Sequence, residues 1–185
     1  IPYCESKNID FMASIFDIEG LDFLVKKGMK TIKLSSYTIT HIPLIEAAAK
    51  TGLPIIMSTG GATLAETEEA VRCVQKYNNN ITLLHCSLKY PTPLNEANMG
   101  VLDTMRLAFP EVAIGYSDHT FEPSDAPVQA VYLGATVIEK HITLDNLKNV
   151  DLTEKKLLLR SNEIDNIIVT TLALYSPEAK DLRQL

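Results

Sequence analysis

No stretch of this 185-residue chain approaches the roughly 18 consecutive apolar residues that cross a bilayer, so no membrane-spanning segment is expected. Basic residues are outnumbered, 17 Lys and Arg against 23 Asp and Glu. The formal net charge of −6 argues against a general binder of nucleic acid or anionic membrane, which needs a basic surface to meet phosphates. Cysteine is scarce. Cys4, Cys73 and Cys86 are odd in number and lack C-x-x-C spacing, which suggests neither a disulfide framework nor a structural zinc site. The opening residues, Ile1-Pro2-Tyr3-Cys4-Glu5, are neither an initiator methionine nor a signal peptide, and a cytoplasmic location is expected. No linker, low-complexity tract or charge block marks a second domain. What is present, 46% hydrophobic and 22% charged residues, is the mixture of an ordinary globular domain with a sizeable core.

Short β-rich runs alternate with helical stretches along nearly the whole length. Strands are predicted over 10–14, 31–35, 54–58, 81–87, 112–117 and 136–142, several as almost continuous apolar runs of the kind buried on both faces. Helices are predicted between them. Asp17 caps one that Gly28 stops, and 43–50 forms another ended by Gly52. Thr63-Leu64-Ala65-Glu66 reads as a capping box. A helix over 95–109 follows, then one from Ser124 to Gly134, and a last one capped by Thr153 that buries Leu157, Ile164, Ile167 and Ile168. Six βα units with strand starts about 20–30 residues apart imply a parallel sheet, either doubly wound or a (β/α)8 barrel. No G-x-G-x-x-G follows a strand, which counts against dinucleotide binding. Polar clusters collect at the strand C-termini, where a barrel places its active site. Six units cannot close eight strands, so the chain reads as part of a TIM barrel whose missing strands lie N-terminal to it.

His119 and His141 end consecutive strands, and adjacent parallel strands lie about 5 Å apart. Two imidazoles there suit one Mn2+, Fe2+ or Zn2+ ion, with Asp118 and Glu139 placed to orient them. The plainer alternative is two strand-end histidines bonded to backbone. Lys33 lies in the apolar run Thr31-Ile32-Lys33-Leu34-Ser35-Ser36. It either meets an anion, does covalent work at lowered pKa, or snorkels to solvent. With Ser14, Ser36 and Ser117 it would offer a phosphate or carboxylate one cation and several hydroxyls. Ser58-Thr59-Gly60-Gly61 is either a close backbone approach to ligand or a tight strand-to-helix turn. Cys86, next to His85, reads as a buried core thiol, His41 as a residue at a helix start, and Glu66, Glu68 and Glu69 as a solvated helix face.

Three further runs complete the pattern: Pro54-Ile55-Ile56-Met57-Ser58-Thr59-Gly60, Leu84-His85-Cys86-Ser87-Leu88-Lys89-Tyr90-Pro91-Thr92-Pro93, and Gly115-Tyr116-Ser117-Asp118-His119-Thr120. With Lys33-Leu34-Ser35-Ser36 and Glu139-Lys140-His141-Ile142-Thr143-Leu144-Asp145, their order and spacing resemble the sialic acid (N-acetylneuraminate) synthases and their legionaminate and pseudaminate relatives. The resemblance runs from about Phe11 to Asp151. It implies a (β/α)8 TIM barrel, of which this chain holds strands three to eight in residues 1–185, without the family's first two strands or its C-terminal antifreeze-like domain. It also implies a cytoplasmic transferase of sialic acid biosynthesis, a homodimer in full-length form, that condenses phosphoenolpyruvate with an N-acylated amino sugar such as N-acetylmannosamine. The implied cofactor is a divalent metal, Mn2+ or Mg2+, on His119 and His141.

On matching positions, Lys33, Ser36 and Ser117 correspond to phosphoenolpyruvate contacts, and Ser14 keeps the hydroxyl of a family threonine. Tyr90 and Asp151 correspond to sugar contacts. The departures are specific. Thr38 stands where the family carries an acidic residue, and a hydroxyl cannot act as a carboxylate base. Leu88 stands where a polar side chain often touches phosphoenolpyruvate. Asn149-Val150-Asp151 replaces Gly-Pro-Asp, one residue closer to His141. Two alternatives stay open: a non-catalytic or re-purposed paralogue that binds a sugar or phospho-ligand, and another phosphoenolpyruvate or pyruvate aldol-type enzyme using Lys33 as a Schiff base.

Overall fold

The apolar runs form parallel strands, each leading into a helix, in a computed structural model that describes residues 1–121, 124–141 and 166–170. The chain divides into two compact units, Ile1–His85 with Ala108–Ala113, and Cys86–Leu107 with Ile114–Leu185.

The first unit opens with a short helix, α1 (Pro2–Ser6), and then holds β1 (Ser14–Ile15), β2 (Ile32–Leu34), β3 (Ile55–Ser58) and β4 (Ile81–His85), paired in that order and all parallel. Residues Ile32, Leu34, Ile55, Met57, Leu83 and Leu84 are fully buried. Each such side chain is worth roughly 1.5–3 kcal/mol relative to exposure. The connecting helices α2 (Ile18–Lys26), α3 (Ile42–Lys50) and α4 (Leu64–Gln75) begin where the sequence places their caps. Asp17 accepts from the Gly20 amide, the His41 ring from the Leu44 amide, and Thr63 and Glu66 form the complete capping box. These bonds satisfy amides that the helices leave without partners. Leu21, Leu44, Ile45, Ala70 and Val74 bury one side of each helix. Glu68 and Glu69 stay exposed, and Glu68 pairs with Arg72 one turn on.

The second unit contains all but the last residue of α5 (Val101–Ala108), all but the first of β5 (Ala113–Asp118), and α6 (Asp125–Tyr132), β6 (Val137–His141) and β7 (Asn166–Thr170), with β5 and β6, and β6 and β7, paired in parallel. The helix expected over 95–109 is broken. A 3-10 turn covers Leu94–Glu96, Asn98 takes φ 51, and only Val101–Ala108 is α-helical. A left-handed residue cannot sit inside a right-handed helix, and Asn tolerates that conformation better than most. Gly134 closes α6 at φ +83, where a Cβ would meet the Arg106 guanidinium at 2.5 Å.

A further correction concerns the last predicted helix. Residues 166–170 form β7, adding a seventh strand to the six read from the sequence. The Ile164, Ile167, Ile168 spacing fits a helix, but Ile167-Ile168-Val169-Thr170 is a β-branched run whose stiff side chains favour extended backbone. Thr153, Leu157 and Ile164 lie outside the described residues. Among the described residues no helix is long and apolar enough to cross a membrane.

Replacing Thr63 with Ala removes half of the capping box, and the expected cost is about 1 kcal/mol, read as a lower urea midpoint with an unchanged slope.

Candidate functional site

Two clusters of polar side chains stand at strand C-termini, one in each unit. In the first, Lys33 occupies the middle of β2 and is 3% exposed, which rules out snorkelling. Its Nζ donates to Ser58 Oγ at 2.8 Å and to the Leu34 carbonyl at 3.2 Å. The register explains the first contact. Lys33 lies opposite Ile56, so Ser58, two residues on, shares its face, and a long side chain leans along the strand to reach it. Ser14 lies opposite Lys33 on β1. Ser58 was not singled out from the sequence as a partner of the lysine; the signal was available in strand alternation, once the register was known.

Ser36 opens a 3-10 turn, Ser36–Thr38, and its Oγ accepts from the Gly60 amide at 2.9 Å. Ser58-Thr59-Gly60-Gly61 is a tight strand-to-helix turn: the Thr59 amide and hydroxyl both bond the Leu84 carbonyl, at 3.0 and 3.1 Å, and the Ala62 amide closes back on Thr59. Thr38 is buried, and its hydroxyl donates to the Ser35 carbonyl at 3.0 Å. That hydroxyl is spent on backbone.

The second cluster rests on strand alternation along β5 and β6. Ser117 lies opposite Glu139, and Asp118 opposite Lys140. Successive residues face opposite ways, so Ser117 and Glu139 share one face and Asp118 and Lys140 the other. On the latter, Asp118 is saturated. Its carboxylate accepts from Lys140 Nζ at 2.5 Å, the Thr120 amide at 2.8 Å, the Thr120 hydroxyl at 3.1 Å and the Tyr116 hydroxyl at 3.1 Å. Lys140 also donates to the Thr120 carbonyl at 2.7 Å. Asp118 therefore does not orient either histidine, contrary to expectation, because strand alternation turns it to the opposite face.

On the other face, Ser117 Oγ donates to Glu139 at 2.8 Å. The rings of His119 and His141 lie 5.2 Å apart between centroids and 22° from parallel. His119 is oriented by backbone: its Nδ1 donates to the Ser87 carbonyl, which can only accept. In the neutral ring Nε2 then carries the lone pair, and it accepts from the Tyr90 hydroxyl at 2.8 Å, with Ser117 Oγ at 3.5 Å. The Tyr90 ring stacks on His119 at 4.0 Å and approaches His141 at 5.6 Å. Loss of solvent around its hydroxyl, then the Cys86 and Glu139 charges, push the Tyr90 phenol up to about 12. Burial and then the Asp118 charge push Tyr116 upward as well.

Cys86 is buried, as expected, and Leu88 is 59% exposed. Asp151 lies outside the described residues. Among the described residues no group of three or more His, Cys, Asp or Glu could hold a metal ion. His119 and His141 are thus a facing pair of imidazoles, and a cation held by such a pair would need substrate or water to complete its shell.

The model of the NeuB family matches residues 1–175. The chain is 37% identical over 169 residues to the spore coat polysaccharide biosynthesis protein SpsE of Bacillus subtilis, covering 91% of this chain and 45% of that protein. It is 41% identical over 167 residues to the N,N'-diacetyllegionaminic acid synthase of Campylobacter jejuni, covering 89% and 49%. The crystal structure of SpsE superposes with a TM-score of 0.78 over 82% of this chain and 43% of that one, at 40% identity. The N-acetylneuraminic acid synthetase of Leptospira borgpetersenii, solved with citrate, gives a TM-score of 0.76 over 82% and 53%, at 38% identity. The chain spans about half the length of these curated relatives.

Lys140→Met leaves the Asp118 carboxylate buried without its cation, and a loss of about 3–5 kcal/mol is expected in urea denaturation. Adding Asp118→Asn should restore part of it. Stability should also fall as pH rises above about 10: there the unfolded tyrosines lose protons that Tyr90 and Tyr116 still hold in the native state, so the native state binds more protons. Tyr116→Phe should flatten that alkaline slope.

Proposed function

Because this chain belongs to the NeuB family, we propose that the protein carrying it condenses phosphoenolpyruvate with an N-acylated amino sugar, N-acetylmannosamine or a relative, to a nine-carbon 2-keto sugar acid and phosphate. The observation that carries this reading is the facing pair of His119 and His141, with the His119 tautomer fixed so that Nε2 points its lone pair outward from the Ser87 contact. That arrangement fits a divalent cation, Mn2+ or Mg2+, held by His119 Nε2 and His141. When bound, such a cation would polarise the aldehyde oxygen of the open-chain sugar.

The chain's own residues handle the remaining charge and protons. Lys33, a buried cation beside Ser58 and in register with Ser14, binds the phosphoenolpyruvate anion and offsets its charge, with the hydroxyl of Ser36 as a further donor. The C3 carbon of phosphoenolpyruvate attacks the sugar aldehyde carbon, forming the new carbon–carbon bond while the aldehyde oxygen takes a proton. Water adds to the resulting cation at C2, and the tetrahedral intermediate breaks its C2–O bond to expel phosphate and leave the keto acid. In this reading Glu139, hydrogen-bonded to Ser117, takes the proton from that water, a role that Thr38, with a hydroxyl bonded to Ser35 and no carboxylate, does not fill. Tyr90 and Asp151 hold the sugar. The full-length protein acts as a cytoplasmic homodimer in this reading.

The position of Thr38 and the exposure of Leu88 favour one second reading, a paralogue that binds these ligands without turning them over. Phosphate release from phosphoenolpyruvate by the longest natural form of the protein separates the two. The assay contains Mn2+ and a panel of N-acylated hexosamines, with and without chelator. Release that needs one sugar and the cation is expected, and His119→Ala should lower it by at least about 100-fold. Undiminished metal-dependent release in that variant would sink the histidine assignment. Phosphoenolpyruvate binding seen as thermal stabilisation, without release, would favour the paralogue.

A further inference from the structure

One six-residue segment holds His119 by three polar atoms. The Ser87 carbonyl takes the Nδ1 proton, the Tyr90 hydroxyl donates to Nε2 at 2.8 Å, and the Thr92 amide donates to the His119 carbonyl at 2.8 Å. These contacts differ in what they exclude. The Ser87 and Thr92 bonds leave Nε2 untouched. The Tyr90 bond occupies it, and an imidazole whose Nδ1 carries the proton has a single lone pair, on Nε2. A cation and the Tyr90 hydroxyl cannot both use it.

The segment is also built so that Tyr90 can leave while its flanks stay. Tyr90 is 56% exposed and its neighbour Leu88 is 59% exposed, so what the phenol gives up on swinging outward is chiefly its stack on His119 and its approach to His141. Lys89 is pinned beside it, by its amide to Ser87 Oγ at 3.2 Å and by its ammonium to Glu96 at 2.8 Å. Beyond it the Thr92 hydroxyl donates back to the Lys89 carbonyl at 2.6 Å, and Thr92 bridges to Thr120.

We infer that the Tyr90 hydroxyl is a displaceable cap on the Nε2 atom of His119, so that cation binding and release of Tyr90 are a single event. This rests on the proposed metal role of the two histidines. It adds an order of events: the cation binds first, and its arrival turns the phenol away from His119 and makes it available to the incoming sugar. Linkage makes the effect reciprocal. Whatever the cap contributes in the cation-free protein is subtracted from cation affinity, and a ligand that holds Tyr90 outward raises that affinity by the same factor.

The test titrates Mn2+ alone, by calorimetry, into the full-length protein, its Tyr90→Phe variant and its His119→Ala variant, with the near-ultraviolet tyrosine difference spectrum followed in parallel. Phe keeps the ring stack and removes only the hydroxyl, so Tyr90→Phe is expected to bind Mn2+ about three- to tenfold more tightly. Mn2+ should also produce a tyrosine difference signal in the wild type that Tyr90→Phe lacks. Unchanged affinity in Tyr90→Phe overturns the cap alone, and weaker affinity overturns it by making the phenol a ligand instead. Wild-type protein that takes up no Mn2+, or His119→Ala that binds it equally well, overturns the metal reading and the cap with it.

Discussion

The ion pair between Asp118 and Lys140 is the contact that holds together the C-terminal ends of β5 and β6 in the second unit. Both side chains are buried, and burial of two charges is unfavourable unless each remaining lone pair and proton is used. Here the Thr120 amide and hydroxyl and the Tyr116 hydroxyl complete the carboxylate, and the Thr120 carbonyl takes a second proton of the ammonium. The pair ties β5 to β6 next to their last residues. The next residues in sequence are His119 and His141, so the two rings stand directly after a bond on the opposite face of the sheet.

The first unit solves a different problem by similar means. A lysine in the middle of a buried strand needs polar company, and Lys33 finds it in Ser58, one strand over and two residues toward the C-terminus. Ser36 then clasps the loop that follows Ser58 through the Gly60 amide. Cation, hydroxyl and loop backbone are thereby held to one another by bonds spanning 24 and 25 residues of sequence. A charged ligand bound there, as proposed, would meet donors whose positions are already fixed, which would lower the ordering cost of binding.

Much of this was legible in the residues. Apolar runs and caps gave the βα alternation, because a strand buried on both faces and a helix cap each leave a local signature. The pairing of His119 with His141, and Lys33 as a buried cation, followed from strand-end position and from the apolar neighbours of the lysine. Other features depended on information that one sequence does not carry. Asp118 looked equivalent to Glu139 until the register turned them to opposite faces. Ser87 contributes a backbone carbonyl, which has no side-chain signature at all. The break at Asn98 and the strand at Asn166–Thr170 went unread because helical spacing of apolar residues outweighed an αL-tolerant Asn and a β-branched run.

The alternation along β5 and β6 separates two kinds of selective pressure that share the same short motifs. Residues 116, 118, 120 and 140 form the Asp118 network, whereas 117, 119, 139 and 141 carry the proposed chemistry, and the two sets interleave one by one. A descendant of this protein could exchange side chains of the proposed reactive set while keeping the four hydrogen bonds that hold the Asp118 carboxylate, which come from Tyr116, Thr120 and Lys140. New chemistry on this sheet edge is therefore reachable by substitutions two residues apart, with the intervening positions left alone.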